Sequence, residues 1–150
     1  MMLVQLLYIS LHEGKTIENM DAFMAAARAR NKKVGISSIL LGTEKYYIHL
    51  IEGRRVNVNE LYSRISNDPK HSNCTLIRYV DVKAREFSEW SAEYVAFSEF
   101  DAGDMNLLLP AGIIDINTIT SAKAVTMLRR IHAHLLVTAD KHKKAAEFLD

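Results

Sequence analysis

Two polar side chains stand inside apolar runs where chemistry would need support. Tyr8 lies near the end of the run from Leu3 to Ile9, and His49 sits between Ile48 and Leu50 in a second run. A phenol and an imidazole buried in a sheet must find hydrogen-bond partners. With their strands as parallel neighbours, both would face the same side. Two arrangements then satisfy them: a self-contained Tyr–His pair in the core, or a polar ligand held against the sheet. Use of the pair as acid and base of a small enzyme is a third possibility, but no nucleophile or carboxylate partner accompanies them. Other constellations carry less. His132 and His134 are two apart on an expected helix and point in different directions, so they cannot share a metal. Cys74 is the single cysteine, which excludes an intrachain disulfide and a Cys-based zinc site. No P-loop and no Gly-rich dinucleotide fingerprint is present.

The elements that would position Tyr8 and His49 can be read from periodicity. Leu3 to Ile9 is apolar throughout except at Gln5, the pattern of a central strand covered on both faces. Thr16 is placed to cap a helix whose Ile17, Met20, Phe23, Met24 and Ala27 share one face, ending around Arg30–Lys33. Ile36–Leu41 and Tyr46–Ile51 read as a hairpin about Gly42–Lys45. Val58, Leu61, Tyr62 and Ile65 mark a second helix that closes near Asp68-Pro69. Leu76–Val82 and Ser91–Phe97 are candidate fourth and fifth strands. Ser121 would cap a last helix with a stripe of Val125, Leu128, Ile131 and Leu135 to about Val137, followed by a short basic segment.

This order predicts an α+β, ferredoxin-like βαββαββ sheet. Its first and third strands lie together at the centre, two helices cover one face, and the C-terminal helix covers the other. Residues 1–98 would form the binding domain, and residues 99–150 a helical extension packed on the sheet. The 150 residues suit a single core. Nineteen Lys and Arg against eighteen Asp and Glu leave a net charge of +1, which argues against nucleic acid as the main partner. No apolar run is long enough for a membrane span, and the apolar start lacks a basic n-region, so a cytoplasmic protein is expected.

Five segments in this order resemble the BLUF family of flavin-based blue-light sensors: LVQLLYIS, RNKKVGISSILL, YYIHLIEG, VNELYSRISNDPKH and EFSEWS. The likeness runs from about Leu3 to Ala96. It implies a flavin between the two helices, FAD in the first instance, with FMN or another flavin as alternatives. By that resemblance Tyr8 is the electron and proton donor to the excited flavin, and Asn31 holds the ring edge. Phe23, Tyr47 and Ile65 sandwich the ring. Arg64, Asp68, Lys70 and His71 surround the ribityl and phosphate part, and Trp90 is the tryptophan of the last strand. Three positions depart from the family pattern: His49 stands for the switch glutamine, Ala92 for a methionine, and Ser37-Ser38 for Thr-Gly. The resemblance also implies a non-catalytic, photosensory protein that signals through a downstream protein partner, and the apolar stripe of the last helix is expected to contribute to self-association. A light-blind interaction module is the alternative it leaves open.

Overall fold

The computed structural model describes residues 2–12, 17–69, 72–87, 92–99 and 114–149, with residues 72, 99 and 138–149 as backbone only. The elements are β1 (Leu3–Leu11), α1 (Met20–Lys33), β2 (Ser37–Gly42), β3 (Tyr46–Gly53), α2 (Arg55–Asn67), β4 (Ser72–Val82), β5 (Glu93–Ala96) and α3 (Ser121–Leu149). The strands form one sheet in the order β4-β1-β3-β2-β5, parallel only between β2 and β5. This is the ferredoxin-like arrangement, with β1 and β3 together at the centre.

The parallel pairing expected for β1 and β3 is not found. They run antiparallel, with Val4 opposite Gly53 and Leu11 opposite Tyr46. The β1–α1–β2 crossover makes β1 parallel to β2. The tight hairpin reverses β3, and β3 inserts between the two. Direct opposition in an antiparallel ladder still puts paired side chains on one face. Tyr8 and His49 are such a pair.

Several boundaries also differ. Helix α1 starts at Met20, and its cap is Asn19, whose Oδ1 accepts the Ala22 N–H at 3.1 Å. Ile17 precedes the helix, and Thr16 lies outside the described residues. At the other end the Ile36 N–H reaches the Asn31 carbonyl at 2.9 Å and the Gly35 N–H the Lys32 carbonyl at 3.4 Å. These are the two bonds of a Schellman turn, with Gly35 supplying the required positive φ of 66°. Strand β4 begins four residues earlier than expected, at Ser72, while Ser91 lies outside the described residues. Thr120, not Ser121, caps α3: its Oγ1 accepts the Lys123 N–H at 3.1 Å. The basic tail continues that helix to Leu149.

Alternation along the central strands divides the core in two. On one face Leu7, Ile9, Ile48 and Leu50 pack with Phe87 and with Ala124, Met127, Leu128 and Ile131 of α3. On the other, Val4, Leu6, Tyr8 and Ile51 meet Val58 and Leu61 of α2, while Leu40 and Tyr47 meet Met24 and Ala27 of α1. Strand β4 carries a bulge at Ile77, since Leu7 pairs with Arg78 but Tyr8 with Leu76. The extra residue switches the alternation. Cys74 and Tyr79, an odd number apart, therefore pack in the same cluster as Tyr8.

The one polar interruption of β1, Gln5, belongs to a buried network. Its Nε2 donates to Glu52 at 3.1 Å, and its Oε1 accepts from Arg78 Nε at 2.8 Å. The fully buried Glu52 carboxylate also accepts the backbone N–H groups of Glu86 (3.0 Å) and Phe87 (2.9 Å). Glu86 in turn pairs with Arg129 of α3 at 2.8 Å. Glu52 thus ties the central strand to the loop after β4, and that loop ties to α3. Glu52→Ala leaves two backbone donors and an amide without their acceptor. At about 1–3 kcal/mol for each of these three orphaned groups, the expected loss is roughly 3–9 kcal/mol. Urea unfolding should show it as a lower midpoint, with Glu52→Gln, which keeps one carbonyl oxygen, losing about half as much.

Candidate functional site

The helices α1 and α2 do not close on each other over the sheet. Between them lies a cleft that is open to solvent at its mouth. Phe23, Met24, Ala27 and Arg30 of α1 form one wall, and Leu61 and Ile65 of α2 the other. Leu40, Tyr8 and His49 form the floor, with Asn31, Ser38 and Ala92 completing the lining. The α1 residues recur at helical spacing, so one face of the helix presents them all. The Schellman turn fixes the last turn of α1 against the start of β2. That brings Asn31 Nδ2 to 3.4 Å from Ser38 Oγ, with both residues buried.

At the floor, Tyr8 Oη lies 2.8 Å from His49 Nδ1, and the rings meet edge to face with centroids 5.3 Å apart. Burial pushes the Tyr8 hydroxyl well above its usual pKa, and the nearby Cys74 and Tyr62 push it further in the same direction. Tyr8 is therefore a neutral phenol at physiological pH. It donates to His49 when Nδ1 is bare and accepts when Nδ1 carries the proton.

Residues 3–93 match the family model for BLUF domains, sensors of blue light using FAD. The chain belongs to the BLUF family. It is a flavin-binding blue-light sensor domain. Among solved structures it is similar to BlrB, a BLUF protein in its dark state, with 29% identity and a TM-score of 0.69 over 88% of this chain and 96% of that one. Among curated proteins it is similar to the photoactivated adenylate cyclase subunit alpha of Euglena gracilis, 33% identical over 64 residues. That match covers 43% of this chain and 6% of the cyclase. It also resembles the blue light- and temperature-regulated antirepressor BluF of Escherichia coli K12, 27% identical over 93 residues, which are 61% of this chain and 23% of that protein. The chain therefore spans only a small part of these curated relatives.

The BLUF cleft suits a flavin on its own geometry. Apolar walls facing each other across a slot fit a flat aromatic ring, while Asn31, Ser38 and His49 offer polar groups to its edges. Ser10, two residues along the same strand face from Tyr8, is buried with its Oγ unpartnered among the described residues. A polar ligand tail running past it would supply the missing partner.

The residues expected at the site fall into three groups. Tyr8, Phe23, Asn31, His49, Ile65 and Ala92 come together in the cleft. Tyr47 shares the sheet face but does not line the cleft: its hydroxyl accepts the Ile17 N–H at 3.1 Å and its ring lies 4.5 Å from that of His12. Arg64 is exposed on α2, and Asp68 is half-buried just beyond the helix; neither lines the cleft. Lys70, His71 and Trp90 lie outside the described residues. Arg30 and Arg28 were not expected. Arg30 contributes a cation to the cleft lining, and Arg28 Nε donates to the Ala92 carbonyl at 2.9 Å, anchoring the lining beside β5 to α1. A basic helix end reads in sequence as ordinary dipole complementarity, so nothing local distinguished these two. Among the described residues no cluster of His, Cys, Asp or Glu could hold a metal, and no helix is long and apolar enough to cross a membrane.

Proposed function

We propose that this domain binds FAD between α1 and α2 and reports blue light to a protein partner through a Tyr8–His49 pair in place of the family's tyrosine–glutamine pair. The observation that carries this reading is the 2.8 Å contact between Tyr8 Oη and His49 Nδ1 on the floor of an apolar-walled slot. Bound flavin supplies a one-electron oxidant when excited by blue light. The chain's own residues do the rest: Phe23, Leu61 and Ile65 hold the ring, Asn31 and Ser38 fix its edge, and Tyr8 stands as donor with His49 as its proton partner. Residues 1–98 would form the sensing part. Residues 99–150 would carry the signal outward, through α3 and through self-association. The direct test is an absorbance spectrum of the purified protein before and after blue light, with reconstitution by FAD or FMN to show which is preferred. A preparation that stays colourless with both overturns the reading.

The phosphate part of the ligand is assigned to Arg64, in the last turn of α2, and to Lys70 and His71, which follow that helix in sequence, because phosphate in a partly apolar cleft requires fixed cations. Arg64→Ala combined with Lys70→Ala should weaken flavin retention by about tenfold, the scale of a charge-assisted contact at a partly exposed site. Equilibrium dialysis reads the change, and unchanged retention would remove these residues from the site.

A further inference from the structure

The buried phenol has an aromatic neighbour for which the flavin site provides no role. Tyr62, on α2, holds its ring centroid 5.3 Å from that of Tyr8 at an interplanar angle of 53°, yet it does not line the cleft. Tyr8 is enclosed at 1% exposure, whereas Tyr62 is only half-buried. Cys74, turned to this face by the β4 bulge, packs in the same cluster. We propose that Tyr62 is a redox relay, passing an electron to Tyr8 after light has oxidised Tyr8 and so moving the oxidised site to the half-buried flank of α2. This rests on the reading of the cleft as a flavin site, since flavin excited by blue light is the one-electron oxidant.

The electrons and protons balance within named groups. Tyr8 gives up one electron, and its phenolic proton crosses 2.8 Å to His49 Nδ1. A neutral Tyr8 radical then stands beside an imidazolium. Tyr62 gives one electron to that radical, Tyr8 recovers its proton from His49, and Tyr62 releases its own phenolic proton to water. One electron and one proton have left Tyr62, while Tyr8 and His49 are restored. The second transfer moves the oxidised site from the enclosed Tyr8, at 1% exposure, to a half-buried phenol whose proton can leave to water, and loss of that proton opposes the return of the hole. Burial, and after it Cys74, raises the Tyr62 hydroxyl above its usual pKa, so this residue too starts as a phenol and needs a proton exit. Its partial exposure provides one. Cys74 does not extend the relay: burial raises its thiol as well, which keeps it protonated, and a thiol is a poorer electron donor than a thiolate.

The test is electron paramagnetic resonance on the 150-residue chain with its flavin, frozen at intervals after a blue flash. The unmodified protein should give a tyrosyl radical that dissolved ascorbate quenches. Tyr62→Phe, checked to retain its flavin absorbance, should shorten the radical's lifetime by tenfold or more and make what remains insensitive to ascorbate. Tyr8→Phe should abolish the signal, because Tyr62 does not line the cleft and receives the hole only through Tyr8. A radical of unchanged lifetime and ascorbate sensitivity in Tyr62→Phe overturns the relay while leaving the flavin reading intact. A chain that takes up no flavin removes the oxidant, and with it both readings.

Discussion

A blue flash should leave the unmodified protein without the long-lived, red-shifted spectrum that an amide at position 49 supports, and His49→Gln should produce it. A glutamine amide can rotate or tautomerise, exchanging donor for acceptor at nearly the same two positions. An imidazole offers one nitrogen of each kind when neutral and two donors when charged, so it has no such second arrangement. Tyr8 remains 2.8 Å from His49 Nδ1, which keeps light-driven electron and proton movement open. The expected record is therefore a transient, either a quickly recovered flavin spectrum or a tyrosyl radical, with quenched flavin fluorescence. In His49→Gln the same flash should leave a shift that persists long after the light is off. Time-resolved absorbance of the two proteins side by side decides the matter, and a robust, slowly decaying red shift in the unmodified chain would show that position 49 does not need an amide.

Removal of α3 should be the most damaging deletion. Truncation after Gly112 uncovers the sheet face formed by Leu7, Ile9, Ile48 and Leu50. From the helix itself Val125, Met127, Leu128 and Ile131 lose their burial. At roughly 1.5–3 kcal/mol for each large buried side chain, these four contribute about 6–12 kcal/mol. That is comparable to the whole stability of a typical domain, about 5–15 kcal/mol. The truncated chain should therefore aggregate or change oligomer size, because an apolar sheet face of this extent does not stay in water unpaired. Leu128→Ala, a gentler probe at a fully buried position, should cost about 2–5 kcal/mol. Size-exclusion chromatography and flavin absorbance together read the outcome; a monodisperse, yellow, truncated monomer would show that the sheet does not depend on this cover.

What the sequence determined by itself was the set of elements and the faces they present. Apolar spacing placed Met24 and Ala27 on the inner face of α1, and Val58 and Leu61 on that of α2, because a helix repeats every 3.6 residues whatever it packs against. Strand parity likewise put Tyr8 and His49 each on a single side of its strand. Only the tertiary structure decided what those faces meet. The antiparallel sense of β1 and β3 follows from the crossover and the hairpin together, but the register that sets Tyr8 directly opposite His49 is recorded by no local pattern. Gln5 looked like a lapse in a buried strand until Glu52, Arg78 and the loop after β4 closed a network around it. These groups are far apart in the chain, and their compatibility is a matter of three-dimensional geometry. The approach of Tyr62 and Cys74 to Tyr8 was hidden for the same reason. A one-residue bulge at Ile77 switches the face of β4 and is invisible to alternation read along that strand alone. Arg28 and Arg30, ordinary cations at a helix end by composition, acquire their contacts only because a Schellman turn sets α1 against β2 and β5 completes the far side.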